Sequence, residues 1–324
     1  MKRMDHLIVK LGVILSLMVW IAGCTGTGQN QSVSAPAKTK PAVDITEPAE
    51  PATKVFTDPT GREVEVPTHP QRIVSLEFTG YLSALGIKPV GTAPRFFNPP
   101  FLELMDGVED IGYPPSLEKS LELEPDLIIA ANYLTAEQLE AFEKIAPVVL
   151  LKWSETNNMN RLTALADLLD RHEEERAWLE SYQQLVQQTK DRLSDHIKPG
   201  ETASVFYAWG TSINLLAPQV ISTLFDDIGF QPTEKMKERL SQDKDFASET
   251  ISREVVADYA ADRIFIIAEQ TFGTELVEEM QRSVLKTLPA FKEGKVYVLD
   301  PNWYSFEPVL LEWQLQNAIE VLTE

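Results

Sequence analysis

The chain has 324 residues, 44% of them hydrophobic, and a formal charge of −20 from 29 Lys and Arg against 49 Asp and Glu. So large an acidic surplus excludes partners held through phosphate contacts, nucleic acid first among them. The single cysteine excludes an intrachain disulfide, so the fold must rest on its core, for which this length suffices in one or two domains.

Residues 1–23 read as a secretion signal: Lys2, Arg3 and Lys10 flank an apolar run over 11–21, too short and wrongly flanked to span a membrane. The signal ends in Ile21-Ala22-Gly23-Cys24, which looks like a bacterial lipobox. Cleavage there leaves Cys24 as a lipidated N-terminus. Loss of Lys2, Arg3 and Lys10 with Asp5 deepens the charge from −20 to −22. Such a body avoids an anionic membrane surface, so the lipid supplies the only membrane attachment. The expected location is the cell membrane, lipid-anchored, facing the extracellular or periplasmic side. Residues 24–54, rich in Thr, Gly, Gln, Ser, Ala, Pro and Lys, read as a flexible spacer behind that anchor.

Order is expected from Val55 on. Residues 56–58 and 63–66, joined through Pro59-Thr60-Gly61, predict a hairpin. From Arg72 strands and helices alternate: a strand over 73–76, a helix over 80–85 stopped at Gly86, a short strand at 89–91, a helix over 136–145 and a strand at 148–151. Within this run lies a unit that returns 136 positions later. Ser116, Glu118 and Asp126 lead into Leu127-Ile128-Ile129, and Ser252, Glu254 and Asp262 lead into Arg263-Ile264-Phe265. Each reads as an N-cap Ser, a Glu at the positive end of the helix dipole, and a strand covered on both faces. Between the two units come a helix over 160–169 and an uninterrupted one over 173–197, about 37 Å long at 1.5 Å per residue. A strand over 203–207, a helix over 220–228, a strand at 296–299 and a closing helix over 308–322 complete the chain. The predicted fold is α/β: two Rossmann-like lobes with parallel sheets, at 55–157 and 198–324, joined through connecting helices at 158–197 by one long α-helix.

Several strings resemble the substrate-binding lipoproteins of bacterial ABC importers, in the branch that takes ferric siderophores, haem and cobalamin. They are Asp58-Pro59-Thr60-Gly61-Arg62, the run over 70–77, the run over 85–91, Asp110-Ile111-Gly112 leading into the first repeated unit, and the run over 288–297. The resemblance covers 55–324. It implies a ligand held between the lobes at the strand ends, where general α/β physics also puts it, and a long helix that limits closure. It further implies docking on permease arginines through an acidic residue on each lobe, here Glu118 and Glu254. No catalysis and no resident cofactor are implied, and we expect a monomer.

The loops placed at the strand ends are 77–80, 92–98, 132–135, 152–156, 208–214, 269–273 and 302–306. They are rich in aromatics, which suit a large rigid chelate. Arg95, Tyr133, Trp153, Trp209, Trp303 and Tyr304 are the expected ligand-binding residues. Only Arg95 and Lys152 are cationic there, against Glu77, Glu155, Glu269 and Glu307. A multiply anionic tris-catecholate would call for a basic cluster, whereas a near-neutral ferric hydroxamate needs one or two donors, Arg95 first. The composition therefore favours an Fe(III)-siderophore of hydroxamate type. Binders of that type in this family often carry an Arg where this chain has Tyr113-Pro114-Pro115. His69, His172 and His196 show no ligand spacing, so no direct metal site is expected. Haem or cobalamin binding, or a ligand-sensing surface lipoprotein, would use the same fold. A secreted hydrolase would need a nucleophile elbow or a strand-end His, and the sequence has neither.

Overall fold

The computed structural model describes residues 52–153, 158–210 and 212–323; the signal, Cys24 and most of the spacer lie outside them. Strands β1 (Thr53–Thr57) and β2 (Glu63–Pro67) form an antiparallel hairpin. Its turn is built by Asp58, which is buried and accepts from the Thr60 amide at 3.0 Å, the Thr60 hydroxyl at 2.6 Å and the Arg62 amide at 3.0 Å.

Next come β3 (Ile73–Ser75), α1 (Thr79–Ala84), β4 (Gly91–Thr92), β5 (Glu109–Asp110), α2 (Leu117–Glu122), β6 (Leu127–Ala131), α3 (Ala136–Glu143) and β7 (Val148–Leu151). They build a five-stranded, wholly parallel sheet in the order β5-β4-β3-β6-β7. Every residue of β6 and β7 is buried, as the unbroken apolar runs require. Asp58 also ties the hairpin to this sheet, accepting from the Leu150 amide at 3.2 Å.

Two helices follow, α4 (Asn158–Leu169) and α5 (His172–Leu193). The latter has 22 residues, about 33 Å at the α-helical rise. It stops short of the expected residue 197 because the chain breaks into a turn whose Ile197 amide returns to the Leu193 carbonyl at 3.0 Å.

The second lobe contains β8 (Thr202–Trp209), β9 (Ser212–Leu216), β10 (Gln231–Pro232), α6 (Glu234–Gln242), β11 (Ser248–Ile251), β12 (Arg263–Ile267), α7 (Gln270–Gln281), α8 (Pro289–Lys292), β13 (Val296–Leu299) and α9 (Pro308–Thr323). Here the sheet is mixed rather than wholly parallel. Its order is β11-β9-β8-β12-β13, with β10 paired to β8, and β9 and β11 run antiparallel to their neighbours. The chain leaves β8 through a tight turn at Gly210, whose φ is +56°, and folds back as a hairpin. The predicted helix over 220–228 is a 3-10 turn (Pro218–Ile221) followed by a π-helical turn (Thr223–Ile228), closed by Gly229 at φ +103°.

The repeated Ser, Glu and Asp now have distinct tasks. Ser116 caps α2, its hydroxyl accepting from the Lys119 amide at 3.3 Å. Asp126 accepts from the Gln71 and Arg72 amides at 2.6 and 2.9 Å, pinning the start of β3 to the start of β6. Asp262 does the same for β8 and β12 through the Thr202 amide and hydroxyl at 2.9 and 2.7 Å. Glu118 and Glu254 remain exposed, the first in the opening turn of α2 and the second in that of the 3-10 helix Arg253–Tyr259, whose N-cap Ser252 makes no side-chain cap bond. Among the described residues no helix is long and apolar enough to cross a membrane.

Candidate functional site

The carboxyl ends of the first sheet deliver Glu77 after β3, the 3-10 turn Pro94–Phe96 after β4, Tyr133 after β6 and Trp153 after β7. Phe78, with φ +66°, forces a sharp turn between β3 and α1, a conformation that costs a bulky residue of order 1 kcal/mol or more. The turn aims the Gly80 amide at Glu307, which arrives from the other end of the chain: the amide donates to Glu307 Oε2 at 2.5 Å. Glu307 itself is fixed, because its carbonyl accepts the Leu310 and Leu311 amides at 2.8 and 2.9 Å as α9 begins.

Arg95 lies between two carboxylates. Its Nη2 pairs with Glu77 Oε2 and, at 3.1 Å, with Glu307 Oε1. Glu77 and Glu307 are only 5% and 6% exposed. Burial pushes the Glu307 carboxyl up to about 7; Arg95, the Gly80 amide and Arg161 pull it down, and Glu77 adds to the rise. The Tyr133 hydroxyl donates to Glu77 Oε1, and burial with that bond pushes its own titration well up. Two residues after Tyr133, Thr135 and Gln138 close the capping box of α3 with bonds of 3.2 and 2.9 Å.

Arg161 on α4 is buried and fully committed. It donates to the Lys152 carbonyl at 2.9 Å, the Trp153 carbonyl and the Tyr81 hydroxyl at 3.1 Å. Tyr81 in turn donates to the Phe306 carbonyl at 3.0 Å, so one relay fixes Trp153 on one side and the 302–307 segment on the other.

Two aromatic walls result. Trp153 meets Tyr133 edge-on with centroids 5.5 Å apart, and the Arg95 guanidinium lies 4.4 Å from the Phe96 ring centroid. A cavity of about 510 Å³ opens beside them, lined by Glu77, Ala93, Pro94, Arg95, Tyr113, Tyr133 and Trp153. On the second lobe Tyr207 stacks on Tyr304 at 4.7 Å and on Trp209 at 6.5 Å. Trp209, 70% exposed, ends β8 beside the Gly210 turn.

Of the predicted site residues, Arg95, Tyr133 and Trp153 come together, and Trp209 and Tyr304 form the second wall. Trp303 departs from expectation. It is 1% exposed, and its indole N–H donates to Asn317 Oδ1 at 2.8 Å, because the 3-10 turn Pro301–Trp303 rotates it into the core against α9. The expected loop at 269–273 is the first turn of α7, where Glu269 caps the Phe272 amide at 3.0 Å. Phe78, Tyr81 and Phe96 are core residues beneath the walls. Sequence reasoning counted Glu77 and Glu307 as stray acidic charge and missed that they clamp Arg95; no spacing signal joins residues so far apart in the chain.

The periplasmic binding protein family matches residues 112–303. The iron(3+)-hydroxamate-binding protein FhuD of Bacillus subtilis (strain 168) is 31% identical over 99% of this chain and 100% of its own length. YxeB of the same strain, also named an iron(3+)-hydroxamate-binding protein, is 24% identical over 97% of this chain and 96% of its own. A solved FhuD-fold protein, described as the periplasmic binding protein component of a Fep/Fec-like ferrichrome ABC transporter from Bacillus subtilis, superposes with a TM-score of 0.72 and 31% identity, covering 83% of this chain and 100% of that one.

Proposed function

Because the chain belongs to the periplasmic binding protein family, we propose that it captures a ferric hydroxamate between its lobes and delivers it, chemically unchanged, to an ABC permease. The observation that carries this reading is the cleft: two exposed aromatic walls at strand ends, with Arg95 as the one cation clamped there among the described residues. Rigid aromatic faces suit a bulky chelate, and one guanidinium suits a ligand close to neutral. Arg95, Tyr133, Trp153, Trp209 and Tyr304 contact the ligand. Glu118 and Glu254, exposed at corresponding helix starts, orient the monomeric protein on the permease arginines. Cys24 carries the lipid that holds it to the outer face of the cell membrane.

The test is intrinsic fluorescence of the purified protein titrated with a ferric hydroxamate, a ferric catecholate, ferric citrate, haem and cobalamin. Saturable quenching at sub-micromolar concentration is expected from the hydroxamate alone. Tighter binding of catecholate or citrate would overturn the charge argument, and silence from all five would overturn the binding role.

A further inference from the structure

We propose that the preferred ligand is a ferric chelate carrying a cationic arm, whose ammonium takes the place of Arg95 between Glu77 and Glu307. The inference rests on the chelate reading above and sharpens it to a class of chelate. Two carboxylates from opposite ends of the chain, each more than nine-tenths buried, converge on a single guanidinium. That guanidinium is the member open to solvent: its side chain is 43% exposed and springs from a three-residue 3-10 turn. Arg161 cannot substitute, since it is buried and bound to the Lys152 and Trp153 carbonyls and the Tyr81 hydroxyl.

When chelate oxygens draw Arg95 outward, Glu77 and Glu307 are left facing each other in a desolvated site, a costly arrangement for like charges. A neutral chelate leaves that cost standing, whereas an ammonium on the chelate removes it. The cavity beside Glu77 has the right walls for such a group. Tyr113, Tyr133 and Trp153 line it together with Glu77, and aromatic faces beside an anion are the chemistry that recognises ammonium. The raised Glu307 carboxyl fits: burial favours its protonated form, and the Glu77 charge adds to the rise. An arriving cation displaces that proton, so its advantage grows with pH.

The probes are ferrioxamine B and its N-acetyl derivative, which share one trishydroxamate coordination and differ by a single terminal charge. Fluorescence titration at pH 8 is expected to show the amine form binding about tenfold tighter or better, as one close charge pair at a partly buried site allows. The ratio should shrink towards one at pH 5.5, and also in Glu77→Gln and Glu307→Gln. Equal affinities at pH 8, or tighter binding of the acetylated form, overturn the inference and leave the chelate reading intact. A preference untouched by both substitutions places the ammonium elsewhere and overturns the assigned site. Failure of both probes to bind overturns both readings.

Discussion

The approach of Gly80 to Glu307 makes a quantitative demand on one backbone position. A Cβ on Gly80 would stand 2.5 Å from Glu307 Oε2, 2.9 Å from Glu307 Cβ and 3.2 Å from Phe101 Cε1. Glu307 cannot swing away as a flexible side chain would, because its own Cβ is one of the clashing atoms and its carbonyl anchors α9. For Gly80→Ala, overpacking costs about 1–3 kcal/mol, and losing a hydrogen bond to a charged acceptor costs about 1.5–3 kcal/mol. Against these, Ala in place of Gly returns up to about 1 kcal/mol of helix propensity. The net is a destabilisation of about 3 kcal/mol, or a fall in Tm of roughly 6–12 °C for a body of this size. Thermal and urea unfolding at pH 8 measure it. In a Glu307→Gly background, which removes the Cβ as well, only the Phe101 contact remains, so the same Gly80→Ala step should cost less than about 1 kcal/mol, leaving a coupling of about 2 kcal/mol in the double-mutant cycle. Costs that add to within about 0.5 kcal/mol, or a neutral Gly80→Ala, would refute the close approach on which the Arg95 clamp depends.

Four further outcomes are expected. Burial raises Glu307 from 4.5 to about 7, so its stabilising proton is fully present below pH 4.5 and lost as pH rises through 7, about 3 kcal/mol in all; urea unfolding at pH 4.5 and 8 should show wild type losing that much relative to Glu307→Gln, and a constant difference would contradict it. The Thr202 amide and hydroxyl hold the Asp262 carboxyl below the usual range, so Asp262→Asn should cost about 1 kcal/mol at pH 7, a cost that vanishes as pH falls through the depressed value. Trp209→Ala should weaken chelate binding with little change in Tm, whereas Trp303→Phe, which strands Asn317 Oδ1, should lower Tm and leave affinity close to wild type. Charge reversal at both Glu118 and Glu254 should abolish uptake while affinity persists; wild-type uptake would remove them from docking.

What the sequence disclosed follows the physics of each signal. Unbroken apolar runs mark strands covered on both faces, and β6, β7 and β12 lie where such runs stand. Capping residues likewise mark α2 and α3, because the cap bond is local. The β8–β9 hairpin was not legible, since Trp209-Gly210-Thr211-Ser212 carries the same turn residues as a loop leading to a helix, and only pairing across β8 decides between them. Trp303 and Tyr304 are neighbours with opposite fates. A 3-10 turn sends one inward and the next outward, and composition cannot tell which. The Glu77–Arg95–Glu307 cluster was hidden for another reason: counting charges loop by loop measures a sum, while the cleft depends on which charges touch.

The last helix has a mechanical consequence. α9 is joined to α5 by the Trp178 indole, which donates to Glu312 at 2.6 Å, and to the π-helical turn by the Thr223 hydroxyl, which donates to Gln314 at 2.6 Å, while its first turn is bound to α1 through Glu307. Two bodies fastened by one rod can both swing and swivel about it. Fastened by two rods side by side, they keep the swing and lose the swivel. α9 is thus a second tie beside α5, and a swivel of one lobe against the other would strain the Trp178–Glu312, Thr223–Gln314 and Gly80–Glu307 bonds together.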